Sequence, residues 1–363
     1  MTTLSRPLDR RDLPGQAAGW RERARHHPRA LFVAAVLVLL AVAVVATGLG
    51  SVSVPAGETL GIIVHRVTGL DFGGAWTPAT EAIIWELRLP RVLTAIVVGV
   101  GLSVAGVTFQ GLLRNPLADP YVLGTASGAA LGAAIAVLIP TRLVIVEFGL
   151  RNGLAFIGAL GAIVLVYRLS RLAPWGGMTN LLLTGYAVGS LLAAGLAMAM
   201  YVSGSALRQI FSFLLGGLEA SSWLRLVAAF PLIGLGSIGV FALARTLNGL
   251  LLGEEAAGHL GVDVPRQRLI LLALGSLVTA AAVAVSGLIG FVGLVVPHVV
   301  RLVVGPNARI VLPISAVVGA TLLTVADLGS RLLGEIPVGV VTSLIGAPFF
   351  LALLRQANRG YEL

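Results

Sequence analysis

The sequence predicts an all-α, polytopic membrane protein of about ten transmembrane helices with inverted-repeat character, and three observations carry that expectation. Of the 363 residues, 57% are hydrophobic and 11% charged, with a mean hydropathy of +0.97, a composition that soluble globular domains of this length do not normally show. Uncharged apolar runs of about 20 residues, the length a helix needs to cross hydrocarbon, recur along the chain and leave no room for a separate soluble domain. The third observation is an internal echo. Gly106 precedes Pro116 in "AGVTFQGLLRNP" as Gly287 precedes Pro297 in "SGLIGFVGLVVP", each after a Ser/Ala-Gly step, in copies that would cross in opposite senses as inverted transporter repeats do.

Taken in order, residues 1–29 carry Arg6, Arg10, Arg11, Arg21, Arg23, Arg25 and Arg29 against three acids and then meet a long apolar run. Both stretches exceed those of a cleaved signal peptide, so a basic tail before a first spanning helix is expected. Spans fall near 30–50, 92–113, 121–140, 152–168, 180–202, 224–244, 268–287, 288–303, 310–326 and 336–354. They make one transmembrane domain over 30–355, with a short tail at 356–363. Residues 51–91 are too polar to cross and read as short helices on the outer face. "SGSALRQIFSFLLGGLEASS" (203–222) reads as a second outer segment that turns back at Gly216 and Gly217. The tail and alternate loops hold most of the arginines, which places both termini in the cytoplasm by the positive-inside rule.

All 25 basic residues are arginine, and the chain has neither lysine nor cysteine. That excludes a lysine phosphate loop, a Schiff base, a thiolate nucleophile and a cysteine-held cluster, so any ATP must be bound by another chain. Charge inside hydrocarbon is costly, and the few groups there are candidates for function: His298 after Pro297, and Asp327 with Arg331 one turn on. Such scarcity argues against an ion-coupled carrier, which needs a buried relay. His26, His27, His65, His259 and His298 lie apart, without metal-ligand spacing, and no catalytic triad or carboxylate pair can be assembled.

Glycine, with 46 residues, supplies small-x-x-x-small patterns such as "GYAVGSLLAAGLAMAM" that let helices pack closely or line a path. Met198, Met200 and Tyr201 at the outer end of that span suit a solute vestibule or a core. The stretch "GEEAAGHLGV" (253–262) reads as a short helix, with Glu254 and Glu255 at its amino end and Gly261 closing it. Asp263 and Pro265 start the next helix. Ala256, Ala257 and Gly258 would admit a partner closely, and a plain surface loop would read the same way.

"ELRLPRVLTAIVVGVGLSVAGVTFQGLLRNPLADPYVLGTASGAALGAA", "LLLGEEAAGHLGV", "GLIGFVGLVVPHVVRLVVG", "LPISAVVGATLLTVADLGSRL" and "EIPVGVVTSLIGAPFFLALLR" follow one another between about 81 and 355. Together they closely resemble the FecCD family of permeases, the prokaryotic cytoplasmic-membrane subunits of ATP-binding cassette (ABC) importers for ferric siderophores, haem and cobalamin. The resemblance implies a homodimer of ten-helix subunits, two cytoplasmic ATPases and an extracytoplasmic solute-binding protein. It implies no nucleic-acid partner and no cofactor in this chain, with ATP and Mg held by the ATPase. The family's ATPase-coupling pattern is matched by Gly253, Glu254, Ala257, Leu260 and Gly261, with Glu255 beside them, inside a segment at about 245–267. Arg88, Arg91 and Arg331 match arginines that meet glutamates of the binding protein. Asn115 and Leu117 match a cytoplasmic gate, together with the turn before span five, where Gly177 and Met178 stand in place of a Ser-Thr pair. The path would follow span five, past Met198, Met200 and Tyr201.

The expected cargo is an iron chelate, siderophore ahead of haem, with cobalamin a close competitor. The chain itself is expected to be no enzyme. A secondary, ion-coupled transporter is the alternative, and it would require Asp327 or His298 to titrate.

Overall fold

The computed structural model describes residues 27–50, 52–70, 76–139, 144–172, 178–259 and 261–359. Most of the 1–29 tail, Gly177, Leu260 and the last four residues lie outside them. Among the described residues every regular element is helical, and each of the ten expected spans is a helix. They are α1 Pro28–Gly48, α4 Leu89–Leu112, α5 Thr125–Leu138, α6 Val144–Leu172, α7 Met178–Val202, α9 Trp223–Ala242, α12 Val264–Ser286, α13 Val292–Val304, α14 Ala308–Leu332 and α15 Val338–Arg359. The polar stretches hold the short α2 Ala56–Thr68, α3 Pro78–Ala82, α8 Leu207–Leu215, α10 Ala244–Leu251 and α11 Glu254–His259. The outer segments expected at 51–91 and 203–222 are thus short helices, and the second turns back at Gly216.

Helix α4 is the axle. It packs on α14, α12, α13 and α9, and nearly all its side chains from Val98 to Leu112 are buried. Its small residues allow this: a Cβ on Gly106 would lie 1.8 Å from the carbonyl oxygen of Gly293, so α4 and α13 touch backbone to backbone. Helix α1 is the opposite case, apolar on all sides, with 11% of its most apolar stretch buried, and it faces lipid.

Seven helices among the described residues are long and apolar enough to cross a bilayer. Helices α5 and α13, with 14 and 13 residues, reach only about 20 Å against about 30 Å of hydrocarbon. Their ends therefore lie inside the slab, where irregular backbone survives only when protein satisfies it. The phenol of Tyr121 donates to Ile289 O at 3.0 Å and Gln110 Nε2 to Leu294 O at 3.0 Å. The amides of Gly217, Leu288 and Gly339 donate to Ser286 O, Phe213 O and Gly216 O at 2.8, 3.1 and 3.1 Å.

The Gly-Pro echo does not mark equivalent positions. Gly106 lies inside α4 and Pro116 in the loop after it, whereas Gly287 ends α12 and Pro297 lies inside α13. What recurs is a long helix, a break and a short helix, α4 to α5 and α12 to α13.

Candidate functional site

Functional side chains gather at the two ends of the bundle. One end, the Glu254 face, collects the end of α4, the loop 113–124, α10, α11 and the start of α12. Gly253 and Gly261, at φ +114° and +80°, let the chain reverse on either side of α11 where a side chain would be strained. Ala257 is fully buried and seats α11 beside Gly249 of α10. The Glu254 carboxylate pairs with Arg268 of α12 and lies 3.6 Å from Arg114 just past α4. Asp263 Oδ1 accepts from the Arg266 amide at 3.2 Å and caps α12 as expected. Of the small residues expected to admit a partner, Ala257 instead points inward, because α11 must bury one face to hold its place. Glu255 and Gly258 remain outward, and a side chain at Gly258 would meet nothing within 4 Å.

Beside this helix, Asn115 folds the loop. Its Oδ1 accepts from the Leu117 amide at 2.9 Å, its carbonyl accepts from Ala118 at 3.1 Å, and Arg114 takes φ +48°. His298, one residue after Pro297 in α13, lies beside the backbone of Pro116 and so faces that loop. Met178 begins α7. A connection the sequence reading missed lies just below. Arg301 Nη1 donates to Gln110 Oε1 at 2.6 Å and Nη2 to Val107 O at 3.2 Å, which locks α13 to α4. Gln110→Leu leaves Arg301 with Val107 O alone and removes the bond to Leu294 O, and is expected to cost about 1.5–3 kcal/mol, read as a lower melting temperature in detergent. An unchanged value would mean Arg301 finds other partners.

At the opposite end, the Arg331 face, the three arginines expected to meet a binding protein are turned inward. Arg88 is buried and donates to Thr47 O and Gly48 O at 3.3 and 2.7 Å and to Val52 O. Arg91, also buried, donates from Nε to Asp327 Oδ1 at 2.8 Å and from Nη2 to Glu335 Oε2 at 3.0 Å. Arg331 Nε lies 3.2 Å from Asp327 Oδ2, and its other nitrogens donate to Leu49 O and Ala46 O at 3.1 and 2.8 Å. Each has partners within the chain: Arg88 and Arg331 use a guanidinium's five donors to collect carbonyls at and just past the end of α1, and Arg91 joins two carboxylates. Burial holds the nearby Glu219 carboxyl above its ordinary range, with Arg91 opposing and Glu335 and Asp327 adding to the rise. The Asp327–Arg331 pair is where the spacing placed it. Asp327 is fully buried between two guanidinium groups, a poor position for the titrating relay an ion-coupled carrier needs.

Helix α7 presents an unusual exposed face. Tyr201 is 86% and Met198 62% exposed, with Leu183, Tyr186 and Leu191 also exposed along the helix, and Ala187, Ser190, Ala193, Ala194 and Ala197 lie open between these larger side chains. Met200 instead packs with Ala134, Ala199 and Ile210. By contrast, α9 exposes Leu224, Val227, Phe230, Leu235, Ile238 and Phe241, a bulky apolar surface suited to lipid. Small and hydroxyl-bearing residues suit close approach by another chain or a passing solute.

The sequence model of the FecCD transport family matches residues 34–356. The chain is 42% identical over 324 residues to the cobalamin import system permease protein BtuC of Halobacterium salinarum, covering 85% of this chain and 87% of that protein. It is 43% identical over 303 residues to the hemin transport system permease protein HmuU of Yersinia pestis, covering 80% and 90%. A solved structure of an inward-facing, metal-chelate type ABC transporter superposes with a TM-score of 0.77 at 33% identity, covering 91% of this chain and 99% of that one.

Proposed function

The chain belongs to the FecCD transport family and is an ABC importer permease, and from that premise we propose that it imports an iron chelate, a ferric siderophore or haem, with cobalamin the competing cargo. The observation that carries the mechanism is the double tether of Glu254, which ties α11 to the loop 113–124 through Arg114 and to α12 through Arg268.

In this reading the Glu254 face is cytoplasmic, and both termini lie on it. A separate ATPase, which holds ATP and Mg, receives α11 on its outward side, at Glu255 and Gly258, with Leu260 and Gly261 following. When two such ATPases close, each α11 moves and draws the loop carrying Asn115 and Leu117 with it. These residues, with Gly177 and Met178 of the neighbouring turn, form the gate. A second copy of the chain meets the first across the small face of α7, and the solute crosses between them, past Met198 and Tyr201, without covalent change. The solute-binding protein settles on the Arg331 face, where Arg88, Arg91 and Arg331 fix the helix ends it touches.

Purification in mild detergent should recover one P-loop ATPase per permease, and a chain that comes out alone and still transports would refute the reading. Gly258→Trp tests α11 directly, because a side chain there starts from open space in this chain and would stand in the way of a docked partner. About 1–3 kcal/mol of overpacking at a docked surface predicts about a tenfold or greater loss of ATP-driven uptake in proteoliposomes, with the melting temperature unchanged. Full uptake by the variant would mean that the ATPase docks elsewhere. Titrating the binding protein with haem, ferric siderophores and cobalamin assigns the cargo.

A further inference from the structure

Helices α6 and α12 leave between them an open groove of about 740 Å³, with Val164, Leu272 and Leu277 among its apolar walls. Among the described residues its only charged lining groups are Arg168 and Arg171, near the end of α6 on the Glu254 face, and no described acid lines it. We propose that this groove holds one anionic phospholipid, its acyl chains along the apolar walls and its phosphate at the two arginines.

Three features fit that occupant. The groove follows α6 from Leu160 to Leu172, about 18 Å at 1.5 Å per residue, which matches about 15 Å for half the hydrocarbon core. It is therefore the depth of one leaflet. Its charge sits where a headgroup would lie and nowhere along the walls, which is charge complementarity to a phosphate above hydrocarbon. Arg171 is also placed over the groove's own Tyr167, its guanidinium carbon 5.8 Å from the ring centroid, so the cation is directed by a neighbouring wall residue. Both arginines are exposed, as a group waiting for a lipid rather than an internal partner would be. The inference concerns the membrane and is independent of the cargo.

The test uses the full chain in mild detergent, exchanged against phosphatidylglycerol or phosphatidylcholine, with retained lipid counted by native mass spectrometry. At about fivefold per arginine, one phosphatidylglycerol should be retained about 25-fold more strongly than phosphatidylcholine. The R168Q/R171Q double variant should lose that preference while R309Q, on the same face but outside the groove, keeps it. An unchanged melting temperature in phosphatidylcholine checks that the double variant is folded. Equal retention of the two lipids by the wild type, or a preference that survives in the double variant, overturns the proposal. Displacement of the lipid by millimolar inorganic phosphate also overturns it, since the site would then serve a soluble anion.

Discussion

Asp327→Ala is expected to cost the folded protein about 3–5 kcal/mol, and to appear as a much lower melting temperature and a poor yield of monodisperse protein. The carboxylate is fully buried and faces Arg91 on one oxygen and Arg331 on the other. Removing it leaves two cations close together in a site with little water, and the repulsion adds to the lost attraction. Glu335 keeps one contact with Arg91, and two carbonyls keep Arg331, which holds the cost within that range. The sharper test is rescue. Asp327→Ala combined with Arg91→Met removes charge with charge and should recover much of the loss. Equal damage in the single and double variants would mean that packing, not charge, governs the site.

Gly106→Ala should be as damaging for a different reason. The added methyl would stand 1.8 Å from Gly293 O and 2.7 Å from its carbon, and because both are backbone atoms no side chain can rotate away. Helices α4 and α13 must part, loosening the Gln110–Leu294 and Gln110–Arg301 bonds that cross the same seam. At least about 3 kcal/mol is expected, the upper part of the overpacking range. Gly161→Ala is the control: it lies in α6 with nothing within 4 Å of the new methyl, and should be neutral or stabilising by up to about 1 kcal/mol through helix propensity. Similar thermal melts for the two variants would show that the α4–α13 contact has slack.

The ten spans were legible because hydropathy reports which segments leave water, and the Asp327–Arg331 pair because a helix fixes the distance between residues four apart. Arg91, which completes that pair, stands 236 residues away from Asp327, and nothing local announces it. The same blindness hid the inward partners of Arg88, Arg91 and Arg331: Arg88 and Arg331 bind main-chain carbonyls at and just past the end of α1, which carry no signal in side-chain type, and Arg91 binds carboxylates far along the chain. Six residues of α11 are too few for a hydrophobic period, so the inward turn of Ala257 was not visible. Nor was the shortness of α5 and α13, because an apolar run continues smoothly through a break whose polar groups are main-chain atoms.

The fastening of α1 has a consequence for how the chain is made. Arg88 follows α1 closely and supplies its first clasp at Thr47 O and Gly48 O, but Arg331 reaches Leu49 O across 282 residues of sequence, so at about 5–20 residues per second of synthesis the first span is complete about 15–60 s before this second clasp, and the α14 that carries it, exists. During that interval it must wait in the bilayer without its final neighbour. A helix with a polar stripe would be driven to find a wrong one. An evenly greasy one, left mostly in contact with lipid even after assembly is finished, can wait at no disadvantage.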